Sequence, residues 1–235
     1  MSCKPQCVWT RDLGYRRFDG HYGLITPAVC HPTVRMKVIG LCGGIGAGKS
    51  TVATLLAERG SVVIDVDTLG RHVLTLREVR DAVTAEFGDS VLRPDGTVDR
   101  GALAEVVFSS KGRLADLEAI SHPAINREIL RRLDALAEDP PDLVVLDMAV
   151  LVESNLGQLA NGRGYTEVVV VEANSELRMD RLAERGMAPD DARSRIAAQA
   201  TDAERRAVAD YILINNRDRE HLAVLVDDLL ARLVV

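Results

Sequence analysis

The stretch that decides the fold is Gly43-Gly44-Ile45-Gly46-Ala47-Gly48-Lys49-Ser50, which fits the phosphate-binding pattern G-x-x-x-x-G-K-[ST]. The apolar run Met36–Cys42 precedes it and the helix-like stretch Thr51–Glu58 follows, which gives the order strand, loop and helix. Glycines let the backbone curl so that its N–H groups turn toward phosphate oxygens, and the start of a helix adds a positive dipole end. The sequence therefore predicts a nucleotide-binding loop in an α/β protein.

The residue types in this loop assign its chemistry. Lys49 would bring a full positive charge to the β- and γ-phosphates of ATP, and the Ser50 hydroxyl is a ligand for Mg²⁺. The backbone that we expect around ATP comprises Gly44, Ile45, Gly46, Ala47, Gly48, Lys49, Ser50 and Thr51. A glycine-rich turn with an incidental lysine is the alternative, but the flanking strand and helix favour the phosphate loop.

Composition narrows the class of protein without choosing a reaction. With 235 residues, 47% of them hydrophobic and 27% charged, the chain can form one α/β domain with insertions. A net charge of -6 argues against a partner nucleic acid, because counterion release needs a basic surface. No apolar run approaches the roughly 18 residues that span a bilayer. We therefore expect a cytoplasmic protein without membrane contact. We also expect a monomer or weak homo-oligomer.

Residues 1–35 differ in character from the rest of the chain. They contain three of the four cysteines and four of the eight aromatic residues, and they follow neither a helical nor a strand period. We expect a disordered extension, with the folded domain beginning at Met36. Two alternatives remain, a transit peptide and a zinc site formed by Cys3, Cys7, His21, Cys30 and His31.

Apolar runs alternate with helical patterns after Met36. Runs rich in Val, Ile and Leu predict five parallel strands covered on both faces, at Met36–Cys42, Ser61–Val66, Leu143–Met148, Glu167–Ala173 and Tyr211–Ile214. Between the second and third strands, helical spacing predicts helices at Arg77–Phe87, Arg100–Phe108 and Lys111–Leu136. The prediction is a three-layer α/β fold with a five-stranded parallel sheet and a helical insertion.

Acidic residues stand at the ends of two predicted strands, where ligands of open α/β sheets bind. Asp65 and Asp67 are separated by one residue, so on a strand they would point to the same side, toward the phosphate loop. Such a carboxylate can orient an acceptor hydroxyl and take its proton, although an acidic strand end also caps a following helix. Asp147 ends the third strand and predicts a magnesium-associated carboxylate. Glu153 would face either the same cleft or solvent.

The segment Ser175–Gln199 is helical in pattern and dense in arginine. Arg181 and Arg185 lie four residues apart, on one helical face, and would close over the transferred phosphate as a lid. A solvated helix with i,i+4 ion pairs has a similar pattern. The later sequence Asn215-Asn216-Arg217-Asp218 lacks the lysine of the GTPase base-binding motif, which argues against a GTPase.

Over residues 37–230 the chain resembles the dephospho-coenzyme A kinase family. The family's G-L-T-G-G-I-G-S-G-K-S-T corresponds to Gly40–Thr51, and its D-x-D-x-x-x-R to Asp65–Arg71. Further matches follow in order: F-G at Phe87-Gly88, D-G at Asp95-Gly96, D-R-x-x-L at Asp99–Leu103, H-P-x-I at His122–Ile125, R-L-x-x-R at Arg181–Arg185, R-I-x-x-Q at Arg195–Gln199 and A-D-x-x-x-x-N at Ala209–Asn215. The family's D-x-P-L-L-x-E reads Asp147–Glu153 here, without the proline and one leucine.

This resemblance implies a fold, an activity and a division of the chain. The fold is that of the P-loop NTPases, with a core at 36–68, 141–174 and 200–235, an acceptor-binding helical insertion at 69–140 and a lid at 175–199. The activity is phosphorylation of the ribose 3′-hydroxyl of dephospho-coenzyme A by ATP and Mg²⁺, which gives coenzyme A and ADP in the last step of coenzyme A synthesis.

The resemblance also implies roles for individual residues. Lys49, Asp67, Arg181 and Arg185 would be catalytic, and Ser50 and Asp147 would hold the metal. Asn215 would belong to the ATP site. The acceptor would be bound by Asp65, Asp67, Arg71, Arg100 and His122. In the alternative interpretation, Arg71, Arg100 and His122 are helix caps or packing residues. Another P-loop small-molecule kinase and a silent nucleotide-binding module remain as alternatives.

Overall fold

The structure is a computed structural model that describes residues 36–108, 111–154, 156–159 and 162–234. The extension at 1–35, with its zinc and transit-peptide interpretations, lies outside the described residues. No helix in the described ranges has the combination of length and apolar content that is needed to cross a membrane.

A parallel sheet of five strands forms the centre of the protein, and its strands stand in the order β2-β3-β1-β6-β7. In chain order, together with a short antiparallel pair, the strands are β1 (Lys37–Gly43), β2 (Val62–Asp65), β3 (Leu143–Asp147), β4 (Gln158–Leu159), β5 (Gly162–Arg163), β6 (Glu167–Glu172) and β7 (Tyr211–Ile214). All five predicted strands are confirmed, each within one residue of its predicted ends. The β4–β5 pair was not predicted, because two-residue strands carry no readable alternation.

Helices cover both faces of this sheet. Their bounds are α1 (Lys49–Glu58), α2 (Val66–Val73), α3 (Arg77–Phe87), α4 (Arg100–Phe108), α5 (Lys111–Leu136), α6 (Ser175–Glu184), α7 (Pro189–Ala197), α8 (Asp202–Val208) and α9 (Arg219–Leu233). The three helices predicted between the second and third strands are confirmed as α3, α4 and α5. With α2 they form the helical insertion between β2 and β3.

Alternate residues of β1 belong to two different cores. Val38 and Cys42 pack into the cluster that contains the insertion helices, whereas Ile39 and Leu41 pack with α1 and α9. Ile39 on one face is 0% exposed and Cys42 on the other is 1% exposed, so both faces of β1 are sealed from water. Burial on both faces explains why β1 and the other central strands, β3 and β6, read as continuous apolar runs rather than as alternating patterns.

The register of the sheet brings the predicted functional residues to one edge. In the pairing of β1 with β3, Leu41 lies opposite Asp147, and in that of β2 with β3, Asp65 lies opposite the same Asp147. The phosphate loop leaves β1 at Gly43, two residues beyond Leu41. The carboxyl ends of three neighbouring strands therefore meet around the loop, as expected for an open α/β sheet.

The carboxyl end of β2 differs from its prediction, and this changes the positions of Asp65 and Asp67. The strand predicted at Ser61–Val66 ends at Asp65, and α2 begins at Val66. Asp65 is the residue that ends it, because its side chain accepts a hydrogen bond from the Thr68 backbone N–H and so caps the helix. Asp67 therefore lies in the first turn of α2.

Candidate active site

The loop between β1 and α1 has the backbone of an anion-binding turn. Gly46 and Gly48 have φ values of 80° and 98°, a conformation that residues with a Cβ rarely adopt. The Ala47 N–H closes the turn on the Gly44 carbonyl at 3.0 Å, and the Thr51 N–H is bonded to the Gly48 carbonyl, also at 3.0 Å. Among the residues that the structure describes, no acceptor is bonded to the N–H groups of Gly46, Gly48, Lys49 and Ser50. These donors are available to phosphate oxygens.

Lys49 stands between two carboxylates at the mouth of this loop. Its Nζ donates to Asp147 Oδ1 and lies 3.8 Å from Asp67 Oδ2. Asp147 is only 8% exposed. Burial raises the pKa of Asp147, and the charge and hydrogen bond of Lys49 partly offset that rise. The structure thus brings together three residues that the sequence predicted from separate motifs.

Asp67 also contacts the loop that follows β3. Its Oδ1 accepts a hydrogen bond from the Ala149 N–H at 3.4 Å, and its side chain is 42% exposed. Asp67 therefore lies between Lys49 and the loop that follows β3, with part of its carboxylate open to solvent. An accessible carboxylate of this kind is able to accept a proton.

The carboxylate of Asp65 is bonded to the start of α2. The expectation that Asp65 and Asp67 point to the same side of a strand is therefore wrong. The Asp65 carboxylate accepts hydrogen bonds from the Thr68 N–H at 2.8 Å and the Thr68 hydroxyl at 2.5 Å. Burial alone would raise the pKa of Asp65, but these hydrogen bonds and the charge of Arg71 hold it below its usual range. The reason is the helix start at Val66, which makes Asp65 a cap and turns Asp67 into the cleft.

Arg178 and Gln199, for which the sequence predicted no role in the site, hold the phosphate loop through Ile45. Arg178 Nε donates to the Ile45 carbonyl at 2.9 Å, and the Ile45 N–H donates to Gln199 Oε1 at 2.8 Å. A Cβ at Gly44 would lie 2.6 Å from Arg178 Nη2, so a larger residue there would displace this guanidinium group. Arg178 is 5% exposed. Spacing alone does not indicate this burial, because arginine side chains are by default exposed.

The two predicted lid arginines occupy different environments. Arg181 Nη1 donates to the carbonyls of Gly46 at 3.3 Å and Ala47 at 3.4 Å, and its Nη2 donates to the Asn215 carbonyl at 3.2 Å. Burial and the neighbouring Arg185 lower the pKa of Arg181. Arg185 is exposed at the end of α6. The structure therefore brings Arg181, but not Arg185, to the phosphate loop.

Asn215 contacts the same loop through its side chain. Its Nδ2 donates to the Ala47 carbonyl at 2.9 Å, and the residue is 5% exposed. A Cβ at Gly48 would overlap this amide. Asn215 therefore supports the backbone that would hold ATP.

The predicted acceptor residues are spread along the insertion. Arg71 lies on α2 beside the cleft, with Nη2 bonded to the Thr68 hydroxyl and 4.0 Å from Asp65 Oδ2. Arg100 is the exposed first residue of α4. His122 is half-buried in α5, and burial lowers its pKa despite the opposing charge of Glu118. Of the three, only Arg71 is linked by its contacts to residues of the cleft.

The donor set around Lys49 fits a magnesium ion held partly by phosphate. The Ser50 side chain is exposed, and carboxylate oxygens of Asp67 and Asp147 lie against the neighbouring ammonium group. Within the described ranges, no group of three or more His, Cys, Asp or Glu residues is arranged to hold a metal. Mg²⁺ commonly takes one or two protein oxygens and completes its shell with phosphate and water.

Glu153 faces neither the cleft nor solvent alone. Its Oε1 accepts a hydrogen bond from the Ala200 N–H at 2.7 Å, between α7 and α8. The sequence left open whether Glu153 faces the cleft or solvent. Its main contact is instead with Ala200, the residue that directly follows the predicted lid.

Comparison with known proteins agrees with this architecture. A family model described as dephospho-CoA kinase matches residues 37–220. A dephospho-CoA kinase of Leifsonia xyli is 43% identical over 205 residues, which cover 84% of this chain and 99% of that protein. One of Streptomyces avermitilis is also 43% identical, over 85% of this chain and 95% of the other.

Solved structures show the same fold. The crystal structure of TT1252 from Thermus thermophilus is 33% identical, with a TM-score of 0.71 over 85% of this chain and 98% of that chain. A dephospho-CoA kinase from Campylobacter jejuni is 21% identical, with a TM-score of 0.61 over 84% of this chain and 96% of that chain. The family model covers most of the chain, and the relatives are aligned over nearly their whole length. The chain belongs to the dephospho-CoA kinase family.

Proposed function

We propose that the cluster of Lys49, Asp67 and Asp147 carries out the reaction of this family, the phosphorylation of dephospho-CoA by ATP. The product is coenzyme A, and the reaction is the last step of its synthesis. The observation that carries the assignment is the position of the Lys49 ammonium group, which donates to Asp147 and lies 3.8 Å from Asp67 at the mouth of the phosphate loop.

ATP would bind through the backbone of the loop. The N–H groups of Gly46, Gly48, Lys49 and Ser50, which have no acceptor in the described chain, are suited to the β- and γ-phosphates. The Lys49 side chain is already held in the site by Asp147, so little rotamer freedom is lost when its charge meets phosphate. Arg178 and Gln199 keep the loop in its binding shape through Ile45.

Asp67 would orient the ribose 3′-hydroxyl of dephospho-CoA and accept its proton as that oxygen attacks the γ-phosphoryl group. It is suited to this role because its carboxylate faces the loop after β3 and is accessible. Asp65 would act indirectly, by capping α2 and fixing the direction of Asp67. We assign the acceptor side to Arg71 and, farther along the insertion, to Arg100 and His122.

Positive charge around the loop would stabilise the transfer. Arg181 supports the loop backbone, and Arg185 on the same helix would reach the phosphoryl group when the lid closes. Ser50 and Asp147 would hold Mg²⁺ together with phosphate oxygens. When bound, this ion supplies charge neutralisation across the β- and γ-phosphates.

An ADP-release assay tests the proposal directly. The chain is supplied with Mg-ATP and, in separate reactions, dephospho-CoA, a nucleoside, a nucleoside monophosphate or no acceptor, with Lys49→Ala as the control protein. We expect ADP release with dephospho-CoA alone, and a coenzyme A product that carries one added phosphate at the ribose 3′ position by mass spectrometry and NMR. Faster release with another acceptor would assign a different kinase activity, and ATP binding without turnover would make the chain a nucleotide-binding module.

A further inference from the structure

The base of the lid contains an unusual concentration of buried positive charge. Arg178 is 5% exposed and Arg205, on α8, is 2% exposed. Both donate to the same atom, Asp202 Oδ1, at 3.4 Å and 3.2 Å. One carboxylate thus serves two buried guanidinium groups, and a buried charge without a counter-charge is strongly destabilising.

The second carboxylate belongs to Glu153. Its Oε1 lies 3.8 Å from Arg205 Nη2, an atom that is buried and makes no hydrogen bond among the described residues. The same Oε1 accepts the Ala200 N–H at 2.7 Å. Glu153 therefore completes the charge balance of the buried cluster and bonds to the backbone at the base of the lid.

This contact joins two sides of the active site. Glu153 ends the loop of residues 148–153, in which the Ala149 N–H donates to Asp67. Ala200 directly follows Gln199, whose side chain accepts the Ile45 N–H of the phosphate loop. A continuous path therefore runs from the residue that faces the acceptor, through Glu153 and Ala200, to the loop that would bind ATP.

We propose that Glu153 is a positioning residue that couples the acceptor side to the ATP side through Ala200 and Arg205. The inference rests on the proposed function for the identity of the two ligands. A shift of loop 148–153 on acceptor binding is transmitted to Gln199 and the phosphate loop, so each ligand binds more tightly when the other is present. Thermodynamic linkage requires this effect to be reciprocal.

The charge of Glu153 is needed for a second connection to the phosphate loop. Arg205, which faces Glu153, shares Asp202 Oδ1 with Arg178, and Arg178 donates to the Ile45 carbonyl. Glu153→Gln keeps an oxygen that can accept the Ala200 N–H, but it leaves Arg205 with only the shared carboxylate of Asp202. Glu138→Gln is the matched control, because Glu138 is exposed just after α5 and lies in none of these contacts.

The test measures the dissociation constant of dephospho-CoA by calorimetry with and without a non-hydrolysable ATP analogue and Mg²⁺. We expect the analogue to tighten binding at least about fivefold in the unaltered chain and in Glu138→Gln, the lower end of common coupling factors. In Glu153→Gln we expect this ratio to fall close to one. A ratio of one in the unaltered chain, or an unchanged ratio in Glu153→Gln, overturns the proposal.

If Glu153→Gln folds poorly, a second variant and a second measurement still test the proposed coupling. Gln199→Ala breaks the other end of the path, and we expect it to lower the same ratio. Amide hydrogen exchange reports the contact itself: in Glu153→Asp, whose shorter side chain draws back from Ala200, the Ala200 N–H should exchange about tenfold faster while α5 stays unchanged. Unchanged exchange and a retained ratio in these variants would also overturn the proposal.

The two proposals fail in distinguishable ways. An unaltered chain that binds both ligands with positive coupling but releases no ADP would contradict the proposed function and leave the coupling intact. A chain that releases ADP with dephospho-CoA, and in which Glu153→Gln and Glu138→Gln have equal ratios, would contradict only the role of Glu153.

Discussion

Lys49 and Asp147 form an ion pair across the cleft although they stand 98 positions apart in the chain. Their side chains are 16% and 12% exposed, so the pair is mostly removed from water. Asp147 belongs to β3 and Lys49 to the first turn of α1. The pair therefore holds a charged side chain of the phosphate loop against the neighbouring strand.

Replacing Lys49 with Ala should abolish turnover, because the charge that faces the β- and γ-phosphates is lost. The fold should persist, since Lys49 contributes no volume to either apolar core, and Asp147 can take up a proton when its partner is removed. ADP release and a thermal melt of the same preparation check both statements. Near-native activity in a folded Lys49→Ala protein would contradict the assigned ATP site.

Asp67→Asn should lower kcat by about 10²–10⁴ with little change in ATP affinity, the usual range for a lost general base. Asp65→Asn is the comparison variant. It weakens the charged cap of α2 and should lower the free energy of unfolding by up to about 1 kcal/mol, with the smaller effect on kcat. Steady-state kinetics and urea unfolding of both variants separate these effects. If Asp65→Asn is the more damaging to kcat, the two roles are exchanged.

Arg181→Ala and Arg185→Ala should differ in which kinetic step they affect. Arg181 contacts the carbonyls of Gly46 and Ala47, so its loss should weaken ATP binding as well as turnover. Arg185 is exposed, so its loss should lower kcat while ATP affinity stays close to that of the unaltered chain. Nucleotide titration beside kinetics measures both. A larger loss of ATP affinity in Arg185→Ala than in Arg181→Ala would count against this division.

Gly48→Ala should eliminate ATP binding, whereas Gly60→Ala should not. Both glycines have positive φ, at 98° and 90°, so both variants carry backbone strain of about 1–3 kcal/mol. A Cβ at Gly60 meets nothing within 4 Å, but one at Gly48 overlaps the Asn215 amide that supports the loop. Similar melting temperatures with ATP binding lost only in Gly48→Ala are the expected result. Retained ATP binding in Gly48→Ala would argue against the support by Asn215.

Glu128→Gln tests an ion-pair cluster far from the site. Hydrogen bonds from Arg131 and, to a smaller extent, from Arg132 lower the pKa of Glu128 from its ordinary value of 4.5 to about 2. A lowered pKa means that ionised Glu128 stabilises the fold above pH 4.5 and that this stabilisation is lost as the pH falls toward 2. Because the partner arginines are exposed, we expect the variant to be less stable by about 0.5–1 kcal/mol at pH 7.

Urea unfolding at several pH values checks the Glu128 prediction. The difference between Glu128→Gln and the unaltered chain should be constant from pH 7 to about pH 5 and shrink at lower pH. A difference that is independent of pH throughout would mean that the loss comes from packing rather than from charge.

The strands of the sheet could be predicted because most of their residues are apolar. All five apolar runs are strands of the sheet. The central strands β1, β3 and β6 are buried on both faces, whereas the edge strand β7 is an apolar run although Ile212 and Ile214 are exposed. The helices at Arg77–Phe87 and Arg100–Phe108 were likewise readable from spacing. The phosphate loop and the acids at the strand ends followed from motif order and from the common edge of a parallel sheet.

Other parts of the site depend on contacts that spacing does not encode. Whether Val66 continues a strand or starts a helix is decided by the bonds of Asp65 with Thr68. The burial of Arg178 depends on Ile45, 133 positions away, and that of Arg205 on a carboxylate it shares. An arginine-rich helix has the same sequence pattern whether it is solvated or folded against a loop, so the partners of these residues became visible only in three dimensions.

The double attachment of Ile45 has a consequence for how the protein forms during synthesis. Its carbonyl and its N–H are bonded to residues 133 and 154 positions later, and β1 acquires both of its neighbouring strands only after β3 and β6 exist. An N-terminal fragment that emerges from the ribosome without α6 and Gln199 carries the whole phosphate motif but lacks the groups that shape it. Contacts between residues that are this far apart in the sequence slow folding. Nucleotide binding during translation would therefore report that the last third of the chain has folded, rather than that the motif has been made.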